Sequence, residues 1–218
     1  MKKHFVLGAL LLALATSALA NTTYNNFTGY SDYWHPLGYP NTATYGETFT
    51  APTNGDDMLT SVTFYMGDAD VPGDIIMSAY LATWTGTNAG TLIGSSAPFD
   101  FPNSGQTALT FGVSVPNLTP GASYVLFLSI SESYGQSAGE AYIVPGSATI
   151  PGGNFVYYNN GGDFNALFTN AWDATGIKPD WAMDMEFAPT GATPEPGTLM
   201  LLGSGLLGGL GVIRRKLS

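Results

Sequence analysis

A chain of 218 residues with no cysteine and a formal charge of −10 excludes a disulfide scaffold, so its fold is held by a hydrophobic core or a metal. Five of the six basic residues lie at the two ends, and the span from Asn21 to Thr193 carries fifteen Asp and Glu against one base, Lys178, for a charge near −14. Phosphate neutralisation needs Lys and Arg, which excludes nucleic acid as a partner and makes anionic membrane surfaces poor ones.

The first element is short. Met1-Lys2-Lys3-His4 is a positive head, Phe5 to Ala15 is apolar, and Ala18 and Ala20 form an A-x-A cleavage site. That order predicts a secretory signal helix over residues 1–20, removed by signal peptidase after passage through the secretion machinery. The mature chain then begins at Asn21. Residues 21–193 are one domain's worth, long enough to bury about 70% of the unfolded surface.

Within that span no sustained helical periodicity is present. Short alternating runs separated by Gly, Pro, Asn and Asp predict ten strands. They cover residues 44–50, 59–66, 75–84, 91–94, 107–113, 124–130, 140–144, 154–158, 166–168 and 180–187. In the last, Trp181, Met183, Met185 and Phe187 alternate with Ala182, Asp184 and Glu186, giving one apolar and one wet face. Tyr124, Leu126, Leu128 and Ile130 share a face, yet Val125 and Phe127 opposite them predict a strand covered on both sides. Leu118-Thr119-Pro120-Gly121 feeding Tyr124 reads as a tyrosine corner, whose phenol bonds to upstream backbone. Together these predict an all-β, jelly-roll-like β-sandwich with its first and last strands close together.

The chain closes on Pro194-Glu195-Pro196, sixteen uncharged residues from Thr198 to Ile213, and Arg214-Arg215-Lys216. A helix over 198–213 reaches roughly 24 Å, short of the roughly 30 Å hydrocarbon core, and five glycines weaken it. The basic tail 214–218 holds the cytoplasmic side by the positive-inside rule. This predicts a weak C-terminal transmembrane helix.

Pro-Glu-Pro, an adjoining apolar helix and a terminal basic cluster resemble the PEP-CTERM sorting signal of Gram-negative bacteria, here over residues 194–218. The resemblance implies that exosortase, a membrane protease-transpeptidase, recognises Pro194, Glu195 and Pro196. The chain would then be anchored transiently and processed for the cell surface or extracellular matrix. The stretch 44–66, the tyrosine corner and "NFVYYNNGGDF" resemble an extracellular domain recurrent in PEP-CTERM proteins, which implies fold and destination but no chemistry.

Candidate chemistry is sparse. His35 is the one histidine of the mature span; it sits in "DYWHPLGYP", read as a loop, and no Gly-x-Ser-x-Gly elbow accompanies it. Fifteen carboxylates could supply a glycosidase pair, yet no motif singles one out, so no enzyme activity is expected and a glycan-acting hydrolase is a remote alternative. Asp68, Asp70 and Asp74 are spaced as hard oxygen ligands for a structural Ca²⁺, but Pro72 and Ala79 depart from an EF-hand loop. A solvated hairpin turn explains the same residues. No other cofactor is expected. Trp84, Asn88, Tyr157, Tyr158 and Asn160 fall at predicted loop edges, where aromatics and amides can hold sugar rings. Thr-x-Thr pairs recur at no fixed period, so ice binding is not expected. The sequence thus reads as an exported structural or adhesive surface protein, with a module that binds exopolysaccharide as the alternative.

Overall fold

The computed structural model describes residues 21–30, 34–67, 75–101, 105–136, 139–147, 150–174 and 180–191. In chain order the strands are β1 (Thr22–Asn25), β2 (Trp34–Gly38), β3 (Thr44–Thr50), β4 (Met58–Gly67), β5 (Ile76–Trp84) and β6 (Ala89–Ser95). They continue as β7 (Phe99–Asp100), β8 (Thr107–Val115), β9 (Ser123–Ser129), β10 (Glu140–Ile143), β11 (Phe155–Tyr158) and β12 (Met183–Ala188). A 3-10 turn at Ser131–Ser133 and one turn of α-helix, α1 (Ala166–Thr169), interrupt them.

Two antiparallel sheets result. One has the order β1-β12-β4-β10-β2, with β8 also paired to β4; the other has the order β11-β3-β9-β5-β6, with β7 also paired to β5. From β2 to β12 the chain changes sheet at every step except through β5, β6 and β7. That alternate winding is jelly-roll-like. The first and last strands of the structure lie side by side, with Thr22 opposite Phe187 and Asn25 opposite Asp184, whereas the first strand read from the sequence, 44–50, lies in the other sheet.

The main core fills the space between the sheets. Phe49, Phe64, Phe155, Trp181, Phe187, Leu59 and Leu128 are all fully buried there. Each contributes about 1.5–3 kcal/mol by leaving water. Trp181 also satisfies its indole, donating Nε1–H to the Tyr65 carbonyl at 3.0 Å. A second, smaller core covers the outer face of the β3-β9-β5 sheet, where Phe127, Val125, Val156 and Tyr80 meet Leu167 and Trp172. β9 is therefore buried on both faces, as the apolar residues on both sides of its sequence predict. The tyrosine corner forms as well: the Thr119 N–H donates to the Tyr124 phenol oxygen at 2.8 Å. Gly121, at φ +74°, turns the chain into it.

The structure corrects the sequence reading in four places. Residues 166–168 are helical, not a strand; Asp163 Oδ1 accepts the Ala166 N–H at 3.2 Å and starts the turn. Three apolar residues are too few for periodicity to separate a strand from a buried helical turn. β1 and β7, of four and two residues, are strands too short for alternation to reveal. His35 lies in β2 rather than a loop, and Pro36 is tolerated there because β2 is an edge strand. Finally, the 68–74 connector joins β4 and β5, which belong to different sheets, so it is not a hairpin turn. Asp68, Asp70 and Asp74 themselves lie outside the described residues, as does Lys178.

Candidate functional site

One end of the sandwich carries a recess where an edge strand crosses the rim of the opposite sheet. The β11–β3 pairing sets Tyr157 directly opposite Tyr45. Both side chains point toward the main core, because inner-face positions recur every second residue. β2 closes over them. Together with His35, Pro36, Asn41 and Thr42 they line a cavity of about 260 Å³. This is smaller than the roughly 300–1,000 Å³ usual for drug-sized ligands, so it suits a single ring or a chain end.

Its aromatic wall is continuous. Tyr45 and Tyr157 meet edge to face at 6.0 Å, Phe155 lies behind Tyr45 at 5.2 Å, and the His35 ring is stacked near Phe155 at 6.2 Å. His35 has φ +50°, a left-handed backbone that few non-glycine residues adopt and that aims its side chain at the recess. The Tyr45 phenol donates to the Pro36 carbonyl at 3.1 Å. Burial pushes its pKa up to about 12, with a smaller upward push from Tyr157 and Glu140 against a downward one from the Thr42 hydrogen bond. The Tyr157 phenol donates to Asp173 Oδ2 at 2.9 Å, and that hydrogen bond, more than burial, raises its pKa. Asn41 Nδ2 donates to the buried Glu140. The lining is thus a phenolic wall with amide, hydroxyl and imidazole groups along it. It is a polar surface that can stack on a ring and exchange hydrogen bonds with hydroxyls.

Of the five glycan-contact residues read from the sequence, only Tyr157 reaches this recess. Alternation along β11 sends Tyr158 to the opposite face, where its phenol accepts a hydrogen bond from Asn170 Nδ2 at 2.8 Å. Trp84 packs edge to face on Trp172 at 5.7 Å as part of the second core's cover. Asn88 spends its amide on the Ala89 and Phe168 carbonyls, both at 2.8 Å. Asn160 bonds Ser131 Oγ at 2.6 Å and accepts from Thr44 Oγ1 at 2.9 Å. These four hold the 159–174 segment onto the sheet. His35, Asn41, Thr42 and Tyr45 went unrecognised because the recess joins the 35–45 stretch to Tyr157, more than a hundred residues away in sequence. The one local sign was "HPLGYPNT", a cluster of turn formers beside aromatics.

Among the described residues no group of three or more His, Asp or Glu side chains is gathered to hold a metal. No helix among them is long and apolar enough to cross a membrane, and residues 198–213 lie outside them.

The described chain is an antiparallel β-sandwich that ends, at Gly191, where the tail begins. Residues 192–216 match the family described as the PEP-CTERM protein-sorting motif. No curated protein and no solved structure matches the chain. The chain therefore carries a C-terminal sorting signal, and that signal implies export, transient anchoring in the membrane and processing by exosortase.

Proposed function

We propose that this protein is a structural or adhesive component of the cell surface or extracellular matrix of a Gram-negative bacterium, without enzymatic activity. The observation that carries the reading is the sorting motif at residues 192–216, joined to a β-sandwich whose large aromatics are committed to two cores. A signal helix over residues 1–20, cleaved between Ala20 and Asn21, brings the chain across the inner membrane. Arg214, Arg215 and Lys216 stop translocation. The weak 198–213 helix lodges in the membrane and presents Pro194-Glu195-Pro196 outside. Each proline fixes its own φ, and Pro196 keeps Glu195 out of helical geometry, so the tripeptide is offered extended. Replacing Pro194 and Pro196 together by Ala is expected to leave export intact and strand full-length protein in the inner membrane on cell fractionation. Unchanged release of the double variant to the surface would reject exosortase recognition of this motif.

A second reading rests on the recess: the domain binds exopolysaccharide through Tyr157, Tyr45 and His35, with Asn41 and Thr42 bonding sugar hydroxyls. Tyr157→Ala is expected to lower retention on polysaccharide affinity gels by about tenfold, the scale of one aromatic contact worth 1–1.5 kcal/mol. Trp84→Ala, on the opposite face, is expected to leave retention alone. Equal losses in the two variants would reject the recess as the sugar site.

A further inference from the structure

Glu47 is an acid in the middle of a hydrophobic core. It occupies an inner-face position of β3 between Tyr45 and Phe49, and it is fully buried. One carboxyl oxygen, Oε2, accepts the Trp181 backbone N–H at 2.9 Å. The other, Oε1, is buried and makes no hydrogen bond at all. A carboxylate left half-satisfied in a core is costly, so such an atom calls for a partner.

The surroundings of Oε1 indicate what kind of partner. A Cβ placed on Gly153 would lie 2.9 Å from Glu47 Oε1, 2.8 Å from Asp180 Oδ2 and 2.8 Å from the Ile150 carbonyl oxygen. Three oxygens from three separate segments therefore crowd together beside the Gly153 backbone, so closely that a side chain there would clash with them. Two of them belong to carboxylates. The Asp180 oxygen is held in place by the Ile150 N–H at 2.8 Å, and the Ile150 carbonyl by the Gly153 N–H at 2.7 Å. Asp180 is only half-buried, so water can reach the outer side. A proton on Glu47 would neutralise one group and still leave the other two oxygens aimed at the same space. A hard cation engages all three.

We propose that Glu47 Oε1, Asp180 Oδ2 and the Ile150 carbonyl form a structural binding site for a divalent cation of the calcium type, with water completing its shell. Oxygen-only ligands with two carboxylates are the donor set such ions take. The site lies in the sandwich core and shares no residue with the Asp68, Asp70 and Asp74 set. Burial, and next the nearby Asp180, push the Glu47 carboxyl well above the ordinary carboxylate range. A bound cation would offset that strain and keep the group ionised. It would also tie the segment from Ile150 to Gly153 and the Asp180–Trp181 turn to β3, three parts of the chain distant in sequence.

The test uses the full chain purified in detergent, with Ca²⁺ and Tb³⁺ as probes. Melting temperature is compared in EDTA and in calcium at about one hundred times the dissociation constant. A ligand bound only by the folded state should then raise it by roughly 5–10 °C. Tb³⁺ emission excited through tryptophan reports the same site, because Trp181 follows Asp180 in the chain and its backbone N–H donates to Glu47. The triple variant Asp68→Asn, Asp70→Asn, Asp74→Asn should keep both signals. Glu47→Gln and Asp180→Asn should each lose them; Asp180, being half-buried, supplies a variant that folds if the core substitution does not. A calcium-independent melt of the wild-type chain, or a calcium response that survives Asp180→Asn, would overturn the proposal and leave Glu47 as a protonated core acid. A response lost only in the triple variant would overturn it too, in favour of the 68–74 connector.

Discussion

Tyr124 and Glu47 both face the main core, and the difference between them shows what a single polar atom costs when buried. The Tyr124 phenol has its partner five residues upstream, in the turn that delivers the strand. That hydrogen bond is worth about 1 kcal/mol and is local, so "LTPGASY" is enough to predict it. Glu47 meets partners about a hundred and more residues further along the chain, and no window of sequence shows them. Its alternation with Tyr45 and Phe49 places it inside, but what it meets there is a property of the assembled sandwich. A pH prediction follows from its raised pKa. The folded state binds the Glu47 proton more tightly than the unfolded chain, whose value is near 4.5. The favourable contribution is therefore complete below that value and is lost as pH rises through the higher folded pKa. In EDTA, the wild-type melting temperature should fall as pH climbs above about 4.5, more steeply than that of Glu47→Gln. Parallel pH profiles for the two proteins would show that Glu47 titrates normally.

At the scale of the element, β9 and β8 make an instructive pair. β9 runs through the middle of its sheet with both faces covered, and every residue from Tyr124 to Ser129 is buried. β8 sits at the edge of the other sheet, with Leu109, Phe111 and Val113 facing inward but only half-buried. An open apolar cleft between β8 and the facing edge of β6 accounts for that exposure. Phe127→Ala should thus cost about 3–5 kcal/mol, the scale of a fully enclosed aromatic, whereas Phe111→Ala should cost clearly less. Urea unfolding of the two variants checks this. Equal losses would mean that the second core contributes little. The sequence made the difference visible, since β9 is apolar on both faces and β8 on one. It did not reveal α1, because the cover of that second core is built from a short run, Ala166 to Phe168, whose helical turn is set by Asp163 and by packing on Phe127 and Trp172. Nor did it reveal the recess, which needs β2, an edge strand broken by Pro36, to fold over the β3–β11 rim.

For the whole molecule, the winding of the sheets and the fate of the tail are separate matters. Pairing of β1 with β12 brings both ends of the domain to one edge of one sheet. The charge pattern divides the sequence in a similar way: the bases lie at residues 2–3 and 214–216, except for Lys178, while the span between is strongly acidic. The sorting motif at residues 192–216 was legible in the sequence because such a signal is local and compositional, whereas a binding site is not. The central claim is that residues 194–218 are a processing signal and not a permanent anchor. Mass spectrometry of the surface-localised protein tests it most directly. The account predicts a product that begins at Asn21 and lacks Arg214 to Ser218. Finding Arg214–Ser218 still attached to most of the surface protein would contradict it and make the tail an ordinary membrane anchor.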